Sequence, residues 1–131
     1  MTIIQPPGWP RPKGYSNGIL AEGKQLYIAG QIGWDEHEQF QSDDFVDQVR
    51  QTLLNTIAVL TAANARPEHI VRMTWYITSR QEYLDNLADV GSVYREIIGK
   101  NFPVMAMVEV SALMESRAKV EIETTAVIPN D

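Results

Sequence analysis

The chain has 131 residues and a formal net charge of −6, with no cysteine. That length supports one domain around one core, so residues 1–131 read as a single unit. The missing thiols exclude disulfides, thiolate metal sites and cysteine nucleophiles, and the acidic balance lacks the electrostatic footprint of a nucleic-acid binder.

Read in chain order, the first segment carries Pro6, Pro7, Pro10 and Pro12 and predicts an extended arm. It has no basic region leading into an apolar core, and no later stretch is long enough to cross a bilayer, so a cytoplasmic protein away from membranes is expected. Residues 16–21 and 25–29, joined by Glu22-Gly23-Lys24, predict a β-hairpin. Gly30 and Gly33 then punctuate a loop, GQIGWDEHEQF.

A helix is predicted over 42–64. Val46, Val49, Leu53, Ile57 and Leu60 recur at three-to-four spacing. Ser42, Asp43 and Asp44 supply the cap and the N-terminal negative charge; Asn64 and Pro67 end it. Residues 70–77 alternate as a strand. Ser79 and Glu82 predict a capping box for a second helix, whose stripe is Tyr83, Leu84, Leu87, Val90, Tyr94 and Ile97, and which stops at Gly99. Strands follow over 104–110 and 119–127, with a loop over 111–118. The order is β-β-α-β-α-β-β, an α+β fold.

In the run NFPVMAMVEV, Val104, Ala106 and Val108 share one face, and Met105 and Met107 the other. Both faces are mostly apolar, with Glu109 on the methionine face the one charge. Two helices cover only one face of a sheet, so the other face calls for a partner, and further copies of the same chain are the expected cover.

Several stretches carry a family resemblance: GYSNGI at 14–19, LYIAGQIG at 26–33, QVRQTLLNTIAVL at 48–60, Phe102-Pro103, VEVSAL at 108–113 and VEIETTAV at 120–127. In this order, over almost the whole chain, they resemble the RidA/YjgF family, once called L-PSP endoribonucleases. The resemblance implies a chorismate-mutase-like subunit with a mixed sheet and two helices on one face. It further implies a homotrimer with small-metabolite pockets between subunits, and hydrolysis of 2-imino or enamino acids to 2-keto acids and ammonia without metal or cofactor.

Position by position, the resemblance places Tyr15 and Glu121 as catalytic. Ala29 and Gly30 fall at the strand end beside the substrate, and Met107 at the residue whose carbonyl holds the water. Two positions depart from the pattern. Met105 stands where relatives carry the arginine that grips the substrate carboxylate, and Gly91 where they carry an asparagine. A carboxylate grip calls for a fixed cation, arginine above all, whereas methionine offers a polarisable apolar surface. The expected activity is therefore that of a divergent member, on a small imine, enamine or carbonyl compound. Arg11, Lys13 and Arg117 are the candidate replacement cations.

Trp34, after GQIG, reads either as a ligand-stacking residue or as an interface plug. His37 lies among Asp35, Glu36 and Glu38 at a spacing that fits no metal site. A non-catalytic binding trimer is one alternative, and a standard deaminase using another cation is a second. RNA cleavage is disfavoured by the charge and by the want of a histidine pair.

Overall fold

A four-stranded sheet in the order β3-β6-β4-β5 carries the core in the computed structural model, which describes residues 1–130. Its strands are β3 (Lys24–Ile32), β4 (Ile70–Ile77), β5 (Val104–Glu109) and β6 (Val120–Ile128). β6 runs antiparallel to both neighbours, and β4 and β5 are parallel. A parallel pair needs a crossover, and the segment between β4 and β5 supplies it as helices α2 (Arg80–Asp85) and α3 (Leu87–Ile97). Helix α1 (Phe45–Ala62) packs on α3, β3 and β6.

The predicted hairpin does not form. β2 (Gly18–Leu20) pairs instead with β1 (Thr2–Ile4), antiparallel, in a separate two-stranded sheet. The start of the chain is thus a strand where an extended arm was predicted. The turn at Gly23 is present, but it sends β3 onto β6, with Lys24 opposite Ile128. Gly23 has a φ of +149°, and a Cβ there would meet the Ile128 carbonyl carbon at 2.8 Å, so glycine is required by both conformation and space.

The ends of α1 follow from its sequence. The Asp44 carboxylate accepts the Asp47 N–H at 3.0 Å, so Asp44 is the N-cap and the helix starts later than residue 42. At the far end Asn64 is left-handed, with φ 56°. The Ala65 N–H donates to the Leu60 carbonyl at 2.8 Å and the Asn64 N–H to the Thr61 carbonyl at 3.0 Å, a Schellman closure.

The second predicted helix is two. Asn86 breaks it, with φ −123° and ψ 22°, and its side-chain amide donates to the Glu82 carbonyl at 2.7 Å. A short polar side chain here competes with the helical ladder. The capping box is half-formed. The Ser79 hydroxyl accepts the Glu82 N–H at 3.0 Å, while the Glu82 carboxylate takes Lys119 Nζ at 3.3 Å, tying α2 to the start of β6.

The core lies between helices and sheet, around Trp75, Phe45, Leu53, Met73 and Ile122. On the helix side β4 presents Met73, Trp75 and Ile77, and β6 presents Val120, Ile122 and Ala126, all buried. The opposite side has no helix over it. There Tyr27 is 71% exposed and Val108 45%, beside Ala29, Ala106, Tyr76, Glu121 and Glu123.

Candidate functional site

A cavity of about 740 Å³ opens at the β5 edge of the helix side, between β5, the α2–α3 break and the segment leading into β2. Its floor is Trp75 and Ile77 of β4, with Met105 and Met107 of β5. Tyr83, Leu87, Gly91 and Arg95 form the helical wall, and Lys13, Tyr15 and Phe102 close the end. Leu84 and Leu87, on either side of the break at Asn86, also line the cavity and are 40% and 51% exposed. Such a mixture of aromatic and aliphatic walls with few polar groups suits an apolar ligand body.

Tyr15 is held there by its neighbour. The Ser16 N–H donates to the Pro103 carbonyl at 3.1 Å, and the Ser16 hydroxyl donates to the Phe102 carbonyl. Ser16 is buried, so this clamp fixes Tyr15 against the start of β5. On α3, the Tyr94 hydroxyl donates to the Asn101 carbonyl at 2.8 Å, which ties the helix to the entry of β5. Burial pushes the Tyr94 phenol well above the usual tyrosine range.

Glu121 lies elsewhere. In β6 it stands opposite Ile32 of β3 and Tyr76 of β4, on the sheet side away from the helices. A register shift between Ile28 and Gln31 is the bulge that brings Gly30 over it. A Cβ on Gly30 would come within 2.8 Å of the Glu121 carboxyl carbon and 2.9 Å of its Cγ, so the glycine is the space in which the carboxylate sits. Nearby, the Tyr76 hydroxyl donates to Glu123 Oε1 at 2.8 Å, and that hydrogen bond to a carboxylate holds the Tyr76 pKa above its ordinary value.

The sequence-predicted residues therefore divide into two groups. Tyr15, Lys13, Gly91, Met105 and Met107 share the cavity. Glu121, Gly30 and Ala29 share the uncovered face. β4 lies between the strands of the two groups, so Glu121 and Met107 are about two strand spacings apart, roughly 9–10 Å, with side chains on opposite faces. Within one chain, then, the Met107 and Glu121 side chains do not face a common space, and the expected pocket lies between subunits.

Three further candidates lie outside this single-chain cavity. Arg117 is not at the cavity, because its Nε donates to Asp43 Oδ1 at 2.9 Å and its guanidinium lies 5.3 Å from the Phe40 ring centre. Trp34 packs on Phe40, ring centres 5.9 Å apart, and also lies outside it. Arg11 is exposed and away from the cavity. The cavity's other cations, Arg80 and Arg95, were missed. A signal for Arg95 was present, since it follows the singled-out Gly91 by four residues and so shares its helix face.

Among the described residues no cluster of histidine, aspartate and glutamate is arranged to hold a metal. His69 is buried and its Nδ1 accepts the Arg66 N–H at 3.0 Å; His37 is exposed beside Glu36. Asp35 organises the loop before α1 by accepting the backbone N–H groups of Gln39 and His37, which holds its carboxyl below the usual range. No described helix is long and apolar enough to cross a membrane.

Comparison with known proteins agrees with this architecture. The family model described as Endoribonuclease L-PSP matches residues 10–128. A RutC family protein of Pyrococcus horikoshii is 36% identical over 119 residues, covering 89% of this chain and 90% of the relative. The human 2-iminobutanoate/2-iminopropanoate deaminase is 29% identical over 114 residues, 86% of this chain and 79% of the enzyme. Among solved structures, the Rid family protein YyfB of Yersinia pestis, described as of unknown function, superposes with a TM-score of 0.83 at 28% identity, covering 97% of this chain and 98% of that one. The chain belongs to the L-PSP endoribonuclease family, also known as RidA/YjgF.

Proposed function

We propose that this family member works as a homotrimer whose subunit-interface pockets hydrolytically deaminate a small imine or enamine. The observation that carries this reading is the separation of its two half-sites. The cavity holds Tyr15 and the β5 wall, and its one carboxylate, Glu109 at the end of β5, already accepts the Arg80 backbone N–H at 2.7 Å, while Glu121 and Gly30 lie outside it on the uncovered face. A symmetric assembly that seats the uncovered face of one copy against the cavity of the next completes both at once. It also covers Tyr27, Val108 and Ala106.

In the assembled pocket, Glu121 of one subunit acts as general base on a water held by the Met107 carbonyl of its neighbour. The water oxygen bonds to the imine carbon, and its proton passes to the carboxylate. That proton returns to the nitrogen to give the carbinolamine; its hydroxyl proton then passes through Glu121 to the nitrogen as the C=O bond forms and the C–N bond breaks, and ammonia leaves with a carbonyl product. The Tyr15 hydroxyl orients the substrate at the pocket end. Met105 offers no charge for an α-carboxylate, so 2-imino acids are poor substrates, losing roughly 2–5 kcal/mol of the grip a paired cation gives. The RNA-cleaving activity in the family's description fits less well, for neither His37 nor His69 lines the cavity.

Sedimentation and ammonia release test the reading. A trimer is expected at micromolar concentration. Wild type is expected to act on 2-iminobutanoate at least about tenfold more slowly than Met105→Arg, and Glu121→Ala to lose about 100-fold or more in either background. A stable monomer, or wild-type hydrolysis as fast as that of Met105→Arg, overturns it.

A further inference from the structure

The cavity is cationic in a protein that is acidic overall. Its charged lining residues are Lys13, Arg80, Arg95 and a single carboxylate, Glu109. Glu109 is already engaged, since its Oε1 accepts the Arg80 backbone N–H at 2.7 Å. Among the described residues no ion pair forms to Arg95, Arg80 or Lys13. The neighbouring Glu96 is paired with Arg50, so the acid next to Arg95 does not neutralise it.

Gly91 explains how Arg95 reaches the cavity. Helical side chains lean toward the helix N-terminus, so a residue lies over the turn before it. Arg95 accordingly runs back over Gly91, and a Cβ at Gly91 would stand 3.4 Å from its guanidinium Nη1. The guanidinium thus lies against the bare helix surface at Gly91, in space that a long side chain at 91 would contest. A larger residue at 91 would fill that space and turn the arginine outward. The two departures from the family pattern are thereby connected. Met105 removes a cation from the β5 wall, and Gly91 admits one on the α3 wall.

We infer that Arg95, admitted by Gly91, is the anion-binding residue of this pocket, and that the ligand is an amphipathic monoanion whose charged group is separated from the reacting carbon by an apolar body. This rests on the reading of the cavity as the substrate pocket. The charge then meets Arg95 at the helical wall, and the body lies on Met105, Met107 and Tyr83. In a single chain the cavity holds about 740 Å³, and the part that a neighbouring subunit leaves open takes the apolar body.

The test compares three probes on the full-length protein by titration calorimetry at low ionic strength: 3-phenylpropanoate, its neutral amide and pyruvate. Wild type is expected to bind 3-phenylpropanoate about tenfold more tightly than the amide or pyruvate. Arg95→Ala should abolish the preference over the amide, and Arg95→Lys should retain part of it, a lysine being a point charge without the fork. Gly91→Leu keeps every charge yet should also abolish the preference, and the exposed Arg95→Ala serves as the well-folded variant if Gly91→Leu does not fold. Equal binding of anion and amide, pyruvate binding as tightly as the aryl acid, no binding of either aryl probe, or a preference that survives Arg95→Ala each overturns the inference. Ammonia release is read separately. Selectivity without hydrolysis removes the proposed reaction and leaves Arg95 standing, while hydrolysis without selectivity removes Arg95 alone.

Discussion

Gln48 connects the two halves of the fold through three hydrogen bonds, and replacing it with methionine is a sharp test of how the site's strand is launched. The side chain is 1% exposed. Its Nε2 donates to the Ser42 carbonyl at 3.1 Å and to the Arg117 carbonyl at 3.0 Å. Its Oε1 accepts the Lys119 N–H at 2.8 Å. Gln48 of α1 thus pins the loop that feeds β6 two residues before Glu121. Gln48→Met keeps length and flexibility but removes all three partners while the backbone groups remain. Each lost bond costs about 1 kcal/mol, more where the orphaned group stays dry, so the sum is about 3–4 kcal/mol. With a urea slope of about 1.5 kcal/mol per molar, the unfolding midpoint should fall by about 2 M. The comparison is made at one protomer concentration, because an oligomer's stability depends on it. A loss below about 1 kcal/mol would refute the reasoning, showing that water satisfies these groups and that β6 does not depend on α1 for its start.

Two further outcomes are expected. Because burial raises the Tyr94 phenol's pKa in the folded protein, its contribution is complete below the unfolded value near pH 10. It is lost as pH rises toward the folded value, at up to about 1.4 kcal/mol per pH unit. Chemical denaturation between pH 8 and 11, as set by that window, should therefore show Tyr94→Phe less stable than wild type by about 1 kcal/mol at the low end and losing less on the alkaline side. Equal slopes would contradict the burial argument. Gly30→Ala should displace the Glu121 carboxylate by more than 1 Å, since atoms now 2.8–2.9 Å from the new Cβ must retreat to ordinary contact distance of about 3.5–4 Å. Measured in the Met105→Arg background, ammonia release should drop about 100-fold with the melting temperature unchanged or slightly raised, because Gly30 is not at positive φ.

Much of the fold was legible because its signals are local. Helix α1 shows its cap at Asp44, its stripe and its left-handed Asn64 within one window, although the expected bounds of 42–64 ran three residues early at the start and two late at the end. The partner of β2 was not legible. Residues 16–21 and 25–29 flank a good turn, but Gly23 sits against Ile128, a contact from the far end of the chain that adjacency cannot reveal. The break at Asn86 was hidden for the opposite reason. The apolar stripe runs through it, and what interrupts the ladder is a single side-chain amide on the Glu82 carbonyl, with no proline or glycine to mark it.

The candidate site was legible in its residues but not in its partition. Alternation along β5 and β6 assigns Met105 and Glu121 a phase within their own strands, yet phases on different strands acquire a common meaning only through register. Trp75 opposite both Met107 and Ile122 supplies it: Met107 shares the helix side with Ile122, and Glu121, one residue away, takes the other side. From that one-residue offset the Met107 and Glu121 side chains take opposite faces of the sheet, which is why the proposed pocket takes Glu121 from a neighbouring subunit. Of the three candidate cations, Lys13 lines the cavity and Arg11 and Arg117 do not. Arg11 and Arg117 were sought near the family motifs along the chain, whereas the cavity is closed by the crossover between β4 and β5. Arg80 and Arg95 come from that crossover, and Arg95 lies on the face of α3 that Gly91 leaves bare.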